Sequence, residues 1–324
     1  MRDATLGLPG VLGKHPTRGD FLAAGNRDPE FTSFDAFLTH NVEWAEAKAG
    51  PEWVDAYNAG SVQAFVYRPT SPSRASALVG VFAPSRDRAG RRFPLTVAVP
   101  LIAPQSLLAA PEVLPLALES IWKSTSERLL SFTSNPDARV EIGQLPLGEL
   151  QIALDESFDG YAAWTRTLSS RELWALVFGV ERPVDPVRVL SHVSRTVATC
   201  RGIERPTSSL ALRLPLGAAG GAALCFWLDW VCRIARWKTT IPSFFWSHNG
   251  QEGAVVIALG SPPPCTLAEL WNATGSRDQI CDIATAPSQL AAVSPTDKVA
   301  AAIGQLAEHH SIAELLHAAH TIEV

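Results

Sequence analysis

The chain has 324 residues, 47% apolar and 18% charged, with a formal net charge of -5 and a pI near 5.9. That length suits two domains of ordinary size, and the composition excludes a disordered or fibrous chain. The acidic balance supplies no basic field to gather phosphates, so neither nucleic acid nor an anionic membrane surface is expected as a partner. The first residues, Met1 to Thr5, carry no apolar run with a small-residue cleavage site, and a cytoplasmic location is expected.

A short apolar strand, Gly10 to Gly13, runs into a turn containing Pro16, Gly19 and Asp20. From Glu30 to Lys48, Phe31, Phe34, Phe37, Leu38, Val42, Trp44 and Ala45 recur at helical spacing, and Gly50-Pro51 ends that helix. Three β-rich runs follow, Val62 to Tyr67, Leu78 to Phe82 and Phe93 to Val99, separated by Pro69 to Pro72 and by the polar stretch Ser85 to Arg92. They read as an antiparallel sheet, with the amphipathic segment Ser106 to Leu130 packed on it. The polar run Ser134 to Asp137 marks a boundary. The expected organisation is α/β of the α+β type: an N-terminal domain over residues 1–135 with an antiparallel sheet flanked by helices, then a second α/β domain over 136–324.

In the second part, short helices are expected from Glu149 to Ala163, a strand over Leu173 to Phe178, and a helix from Pro186 to Cys200. A strand at Leu210 to Leu214, a helix over Ala222 to Trp237, and strands at Phe244 to Trp246 and Ala254 to Leu259 follow, with one or two helices between Asp297 and His320. The apolar run Leu214 to Leu228 contains Pro215 and three glycines and is closed by Asp229. It falls short of the roughly 20 apolar residues of a bilayer span, so a buried helix after a Gly-rich turn is expected, not membrane insertion.

The five cysteines, at 200, 225, 232, 265 and 281, form no close CxxC pair and read as buried reduced thiols. His310, His317 and His320 fall at helical spacing without an acidic residue to complete an HExxH pattern, so no metal site is expected. Leu8 to His15 imitates a phosphate-binding loop but has Leu8 where glycine is needed and His15 where serine or threonine is needed, so no nucleotide or other cofactor is expected. Arg18-Gly19-Asp20 reads as a tight turn, with glycine supplying an unusual φ and aspartate capping nearby backbone.

The loop Ser85-Arg86-Asp87-Arg88-Ala89-Gly90-Arg91-Arg92 places four arginines around one aspartate. It is either a solvated hairpin in which Asp87 pairs with Arg91 or Arg92, or a site for an acidic or phosphorylated partner. No GxSxG elbow surrounds a serine, and neither Ser85 nor Cys200 has a partner His and Asp coded nearby, so no catalytic set is assigned.

Gly10 to Phe21, Phe34-Asp35, Trp53-Val54-Asp55-Ala56-Tyr57 and Pro84 to Thr96, taken in order, resemble the TagF (ImpM) family of type VI secretion accessory proteins. The resemblance spans roughly the first 100 residues, and it extends less closely to Ala223 to Asp229, Phe244 to Ser247 and Pro262 to Pro264. Phe34 stands where the family commonly has tryptophan, and Ala23-Ala24-Gly25 is atypical after the Gly-Asp-Phe turn. The resemblance implies a non-enzymatic, post-translational repressor that sequesters a forkhead-associated scaffold protein. The residues it marks for a partner interface or a structural corner are Lys14, Arg18, Asp20, Ser85, Asp87, Arg91 and Arg92. The alternatives are a structural part of the apparatus or a hydrolase using Ser85 or Asp87.

Overall fold

The computed structural model describes residues 4–25, 28–69, 76–134, 154–180, 184–247, 253–273, 278–285, 287, 290, 298–304 and 311–322. In chain order the first part comprises β1 (Thr5–Leu6), β2 (Gly10–Gly13), β3 (Leu22–Gly25), α1 (Pro29–Ala59), β4 (Gln63–Tyr67), β5 (Ala77–Ala83), β6 (Leu95–Ile102), α2 (Gln105–Ala109), α3 (Leu114–Ala117) and α4 (Glu119–Ser134). The second part comprises α5 (Leu154–Thr167), α6 (Ser170–Phe178), α7 (Pro186–Ala198), β7 (Ala211–Pro215), α8 (Gly220–Ala235), β8 (Phe244–Ser247), β9 (Ala254–Ala258), α9 (Thr266–Leu270), β10 (Ile280–Asp282), α10 (Lys298–Gly304) and α11 (Ile312–Thr321).

The α/β class expected from the sequence is present, and the strands of both parts join in one sheet of order β10-β7-β9-β8-β4-β5-β6-β2-β3, with β1 on β6. The seam is the antiparallel pair β4 and β8, where Ala64 faces Trp246 and Phe65 faces Phe245. The sheet therefore runs without interruption from one part into the other, while residues 135–153, where the boundary was placed, lie outside the described residues. Among the described residues every strand pairing is antiparallel except β10 with β7.

Helices cover both faces, so β4, β5 and β6 are apolar but for Gln63 and Thr96 instead of alternating with polar residues. Along β5, Ala77, Val79, Val81 and Ala83 enter the larger core beneath α4, α7 and α8, whereas Leu78 and Phe82 enter the core beneath α1 and α9. The second core is aromatic: Phe34 stacks on Phe65 at 4.3 Å, Phe37 on Phe245 at 5.2 Å, and Trp53 lies 5.7 Å from Trp271. Buried Asn41 ties the layer together by donating to the Phe37 carbonyl (2.9 Å) and accepting from the Leu267 N–H (3.0 Å) at the start of α9.

Helix α1 does not stop at Gly50-Pro51. Gly50 breaks it with a φ of 55°, and Pro51 opens a second helical segment that carries Trp53 and Tyr57 to the sheet. The segment after β6 is likewise broken into α2, a 3-10 turn at Pro111–Val113, α3 and α4, because Pro111 and Pro115 each remove a backbone donor.

The strand expected at Leu173 to Phe178 is instead helix α6. Ser169 and Glu172 form a reciprocal capping box at its start, and Leu173, Trp174 and Val177 fall on one buried face. Gly217–Ala235, including α8, has the length and apolarity of a membrane span. Its residues from Ala223 to Cys232 are all buried against the sheet and neighbouring helices, where the Trp227 indole donates to the Pro215 carbonyl at 2.7 Å. Cys200, Cys225, Cys232 and Cys265 are buried free thiols, and Cys281 is half-buried. His317 and His320 lie exposed on α11; His310 falls outside the described residues.

Candidate functional site

The turn after β2 and the loop between β5 and β6 lock together at one corner of the sheet. Gly13 makes their approach possible: its φ is 124°, and a Cβ there would lie 2.0 Å from the Pro94 carbonyl oxygen. The chain then turns at His15, whose carbonyl accepts from Arg18 N–H at 3.0 Å and whose Nδ1 lies 2.8 Å from the Thr17 hydroxyl. His15 is buried although its neighbours Pro16 and Arg18 are exposed.

Asp87 is the hub of the corner. Its Oδ1 accepts from the Ala89 and Arg91 backbone N–H groups, both at 2.9 Å, and its Oδ2 accepts from Arg91 Nε at 2.7 Å. Lys14 Nζ lies 3.4 Å from Oδ2, and the Asp87 side chain has no exposed surface. Arg91 reaches onward to donate to the Gly19 carbonyl at 2.6 Å, while the Arg88 N–H donates to the Arg18 carbonyl at 2.8 Å. One carboxylate thus closes its own loop and, through Lys14 and Arg91, binds that loop to the preceding turn. Burial pushes the Asp87 carboxyl up, but the Arg91 N–H and guanidinium and the Lys14 ammonium outweigh it and bring it down to about 2.

The base of the loop hangs on Tyr57. Its hydroxyl donates to the Ser85 carbonyl at 2.7 Å and accepts from the Ser85 N–H at 2.9 Å, so α1 holds both polar groups of one buried residue. Burial pushes the Tyr57 phenol well above its ordinary value. Phe93 N–H to the Ser85 carbonyl (3.1 Å) and the bridge between Arg86 and Arg92 close the hairpin, and Phe21 packs edge-on against Phe93 at 5.3 Å.

Of the seven residues singled out in the sequence, Lys14, Asp87 and Arg91 meet in the clasp, and Ser85 anchors its base. Asp87 pairs with Arg91, not Arg92; the latter lies across the hairpin from Arg86. Arg18 contributes its carbonyl, and its side chain is exposed. Asp20 is exposed and forms no ion pair among the described residues. The unusual φ expected at Gly19 belongs instead to Gly13 and Gly90. Tyr57 was not marked as part of the corner, since it acts across 28 residues; nor was His15, whose hydrogen bonds to Thr17 and Arg18 are local.

The Ser85 hydroxyl is buried and accepts or donates no hydrogen bond among the described residues, so no described base addresses it. Both Asp87 oxygens are committed to N–H donors. This arrangement supplies a rigid backbone around several arginines, a requirement of a recognition surface.

A second polar cluster lies toward the opposite end of the sheet. Arg213 on β7 pairs with Glu269 (2.9 Å) and Asp282 (3.3 Å) and donates to Thr285 (2.7 Å), beside a cleft of about 250 Å³ bordered by Ser61, Ser247 and Asn272. A third is internal: Asp229 of α8 accepts from the Tyr161 hydroxyl at 3.1 Å and pairs with Arg233. Nearby, burial followed by the Asp229 charge raises the Glu112 carboxyl to about 8.

Residues 10–143 match the model of the TagF N-terminal domain, described as type VI secretion system-associated. The match contains the whole of the clasped corner. No curated protein matches the chain. Among solved structures, the crystal structure of PA0076 from Pseudomonas aeruginosa PAO1 is 22% identical, covering 83% of this chain and 96% of that chain with a TM-score of 0.46, too remote to transfer any residue's role.

Proposed function

We propose, from the premise that residues 10–143 form a TagF N-terminal domain of the type VI secretion system-associated kind, that the chain is a cytoplasmic negative regulator acting by stoichiometric binding. In this reading it occupies a forkhead-associated scaffold component and withholds it from assembly of the secretion apparatus. No catalysis is involved. The observation that supports binding is the corner built on Asp87: two loops are locked by one carboxylate, so the backbone that carries the surrounding side chains has little conformational entropy left to lose.

Co-purification from the native host at near-native expression tests the reading, with the captured secretion components identified by mass spectrometry. Recovery of a forkhead-associated protein, together with lowered secretion when the chain is overproduced, is the expected result. Secretion unchanged on overproduction, with the chain present at fixed stoichiometry in the assembled machine, would instead make it a structural part. Recovery of no secretion component would sink the binding model.

A further inference from the structure

Six cations, Lys14, Arg18, Arg86, Arg88, Arg91 and Arg92, stand at this corner against two carboxylates, Asp20 and Asp87, in a chain whose net charge is -5. Among the described residues Asp87 forms ion pairs with Lys14 and Arg91 and with no other cation. Arg18, Arg86 and Arg88 are exposed and Arg92 half-buried, and none of the four forms an ion pair among the described residues. Backbone geometry gathers them. Arg86 and Arg92 are direct cross-hairpin partners, Arg88 follows Arg86 on the same outward side of the loop while Asp87 turns inward, and Arg88 is hydrogen-bonded through its N–H to Arg18. The Arg88 guanidinium also runs along the neighbouring turn, 3.9 Å from where a side chain on Gly19 would begin.

Like charges placed directly opposite each other weaken a β-ladder. Here that repulsion is held in place by a clasp that leaves Arg18, Arg86 and Arg88 exposed and Arg92 half-buried, with Phe21, three residues after Arg18 and packed on Phe93, 43% exposed. Guanidinium forks recognise carboxylates bidentately, and an exposed ring beside them accepts an apolar side chain. The acidity of the remaining chain repels a long polyanion, so a short anionic segment fits the surface better than nucleic acid does.

We propose that Arg18, Arg86, Arg88 and Arg92 form a docking surface for a short acidic peptide segment of a protein partner, with an apolar residue of that segment packed on Phe21. This rests on the binding role proposed above and names the chemistry by which the partner is recognised.

The test uses the full chain and a fluorescein-labelled peptide of repeated Glu-Glu-Leu units, followed by anisotropy between about 50 and 300 mM salt. Binding should weaken steeply with salt, and the R86A/R88A/R92A variant, whose changes lie outside the clasp, should lose about tenfold or more in affinity with a thermal midpoint no lower than that of the wild type. The same peptide with glutamine for glutamate should bind no better than that variant. Equal affinity of the wild type and the triple variant, or of the Glu and Gln peptides, would overturn the proposal, as would tighter binding of a single-stranded oligonucleotide of equal charge.

Co-purification separates this from the regulatory reading. If the wild type captures the forkhead-associated protein but does not bind the peptide, and the triple variant captures that protein equally well, only the docking surface is removed. Peptide binding that survives while the wild type captures no secretion component removes only the regulatory reading.

Discussion

Replacing Tyr57 by phenylalanine removes one oxygen atom and leaves the ring beside Trp53 (5.2 Å) and Trp271 (5.1 Å). That oxygen serves both backbone groups of Ser85, a residue 7% exposed. Each buried polar group left without its partner costs about 1–3 kcal/mol, and the Ser85 carbonyl keeps the Phe93 N–H, so the combined loss should be about 2–4 kcal/mol. With an unfolding entropy of about 2.1 cal/mol/K per residue over the chain, 1 kcal/mol corresponds to about 1.5 °C, and Y57F should melt about 3–6 °C lower by calorimetry. Hydrogen exchange localises the effect: the Ser85 amide should lose protection while amides in α8 keep theirs. A midpoint within about 1 °C of wild type, with Ser85 as protected as before, would refute the assignment of Tyr57 as the anchor of the loop.

The Asp87 carboxyl is depressed to about 2 from an unfolded value near 4, so its contribution to stability is present above about pH 4 and is lost as pH falls through about 2; D87N should flatten that part of an acid-unfolding profile. Glu112 behaves oppositely, because its carboxyl is raised to about 8: the stability it provides is full below about pH 4.5 and declines as pH rises through about 8, and E112Q should therefore be less destabilised than wild type between pH 5 and 9 in urea titrations. G13A should cost at least about 2 kcal/mol in the same assay, since its φ of 124° and the Pro94 carbonyl both refuse a side chain, whereas G160A, which meets nothing within 4 Å, should not destabilise. S169A should lower stability by about 1 kcal/mol through loss of the α6 cap.

The central strands β4, β5 and β6 were legible because their apolar runs are short, β-branched and bounded by turn residues, and α7 because Pro186 and its apolar period announce it. Leu173 to Phe178 misled for a physical reason: six apolar residues in a row carry no periodicity of their own, and the Ser169–Glu172 cap three residues apart was the signal that mattered. β3 and β10 are too short to stand out, and each exists by adding to the edge of a larger sheet. At the corner, a pair of Asp87 with Arg91 or Arg92 was within reach of sequence reasoning because only three residues, one of them a glycine, separate Asp87 from Arg91. The Tyr57–Ser85 bonds bridge 28 residues and two elements, and no local pattern encodes them.

The seam between β4 and β8 governs how the chain is made. β4, Gln-Ala-Phe-Val-Tyr, is uncharged and buried along its length, and the strand that covers its free edge emerges from synthesis roughly 180 residues later. At ordinary translation rates that is roughly 10–35 s during which an apolar edge stands open beside an otherwise formed antiparallel sheet, the kind of edge that recruits other chains. The nascent protein therefore depends on chaperone shielding or on rapid completion, and a fragment ending where the N-terminal family domain ends, at residue 143, keeps that edge open permanently.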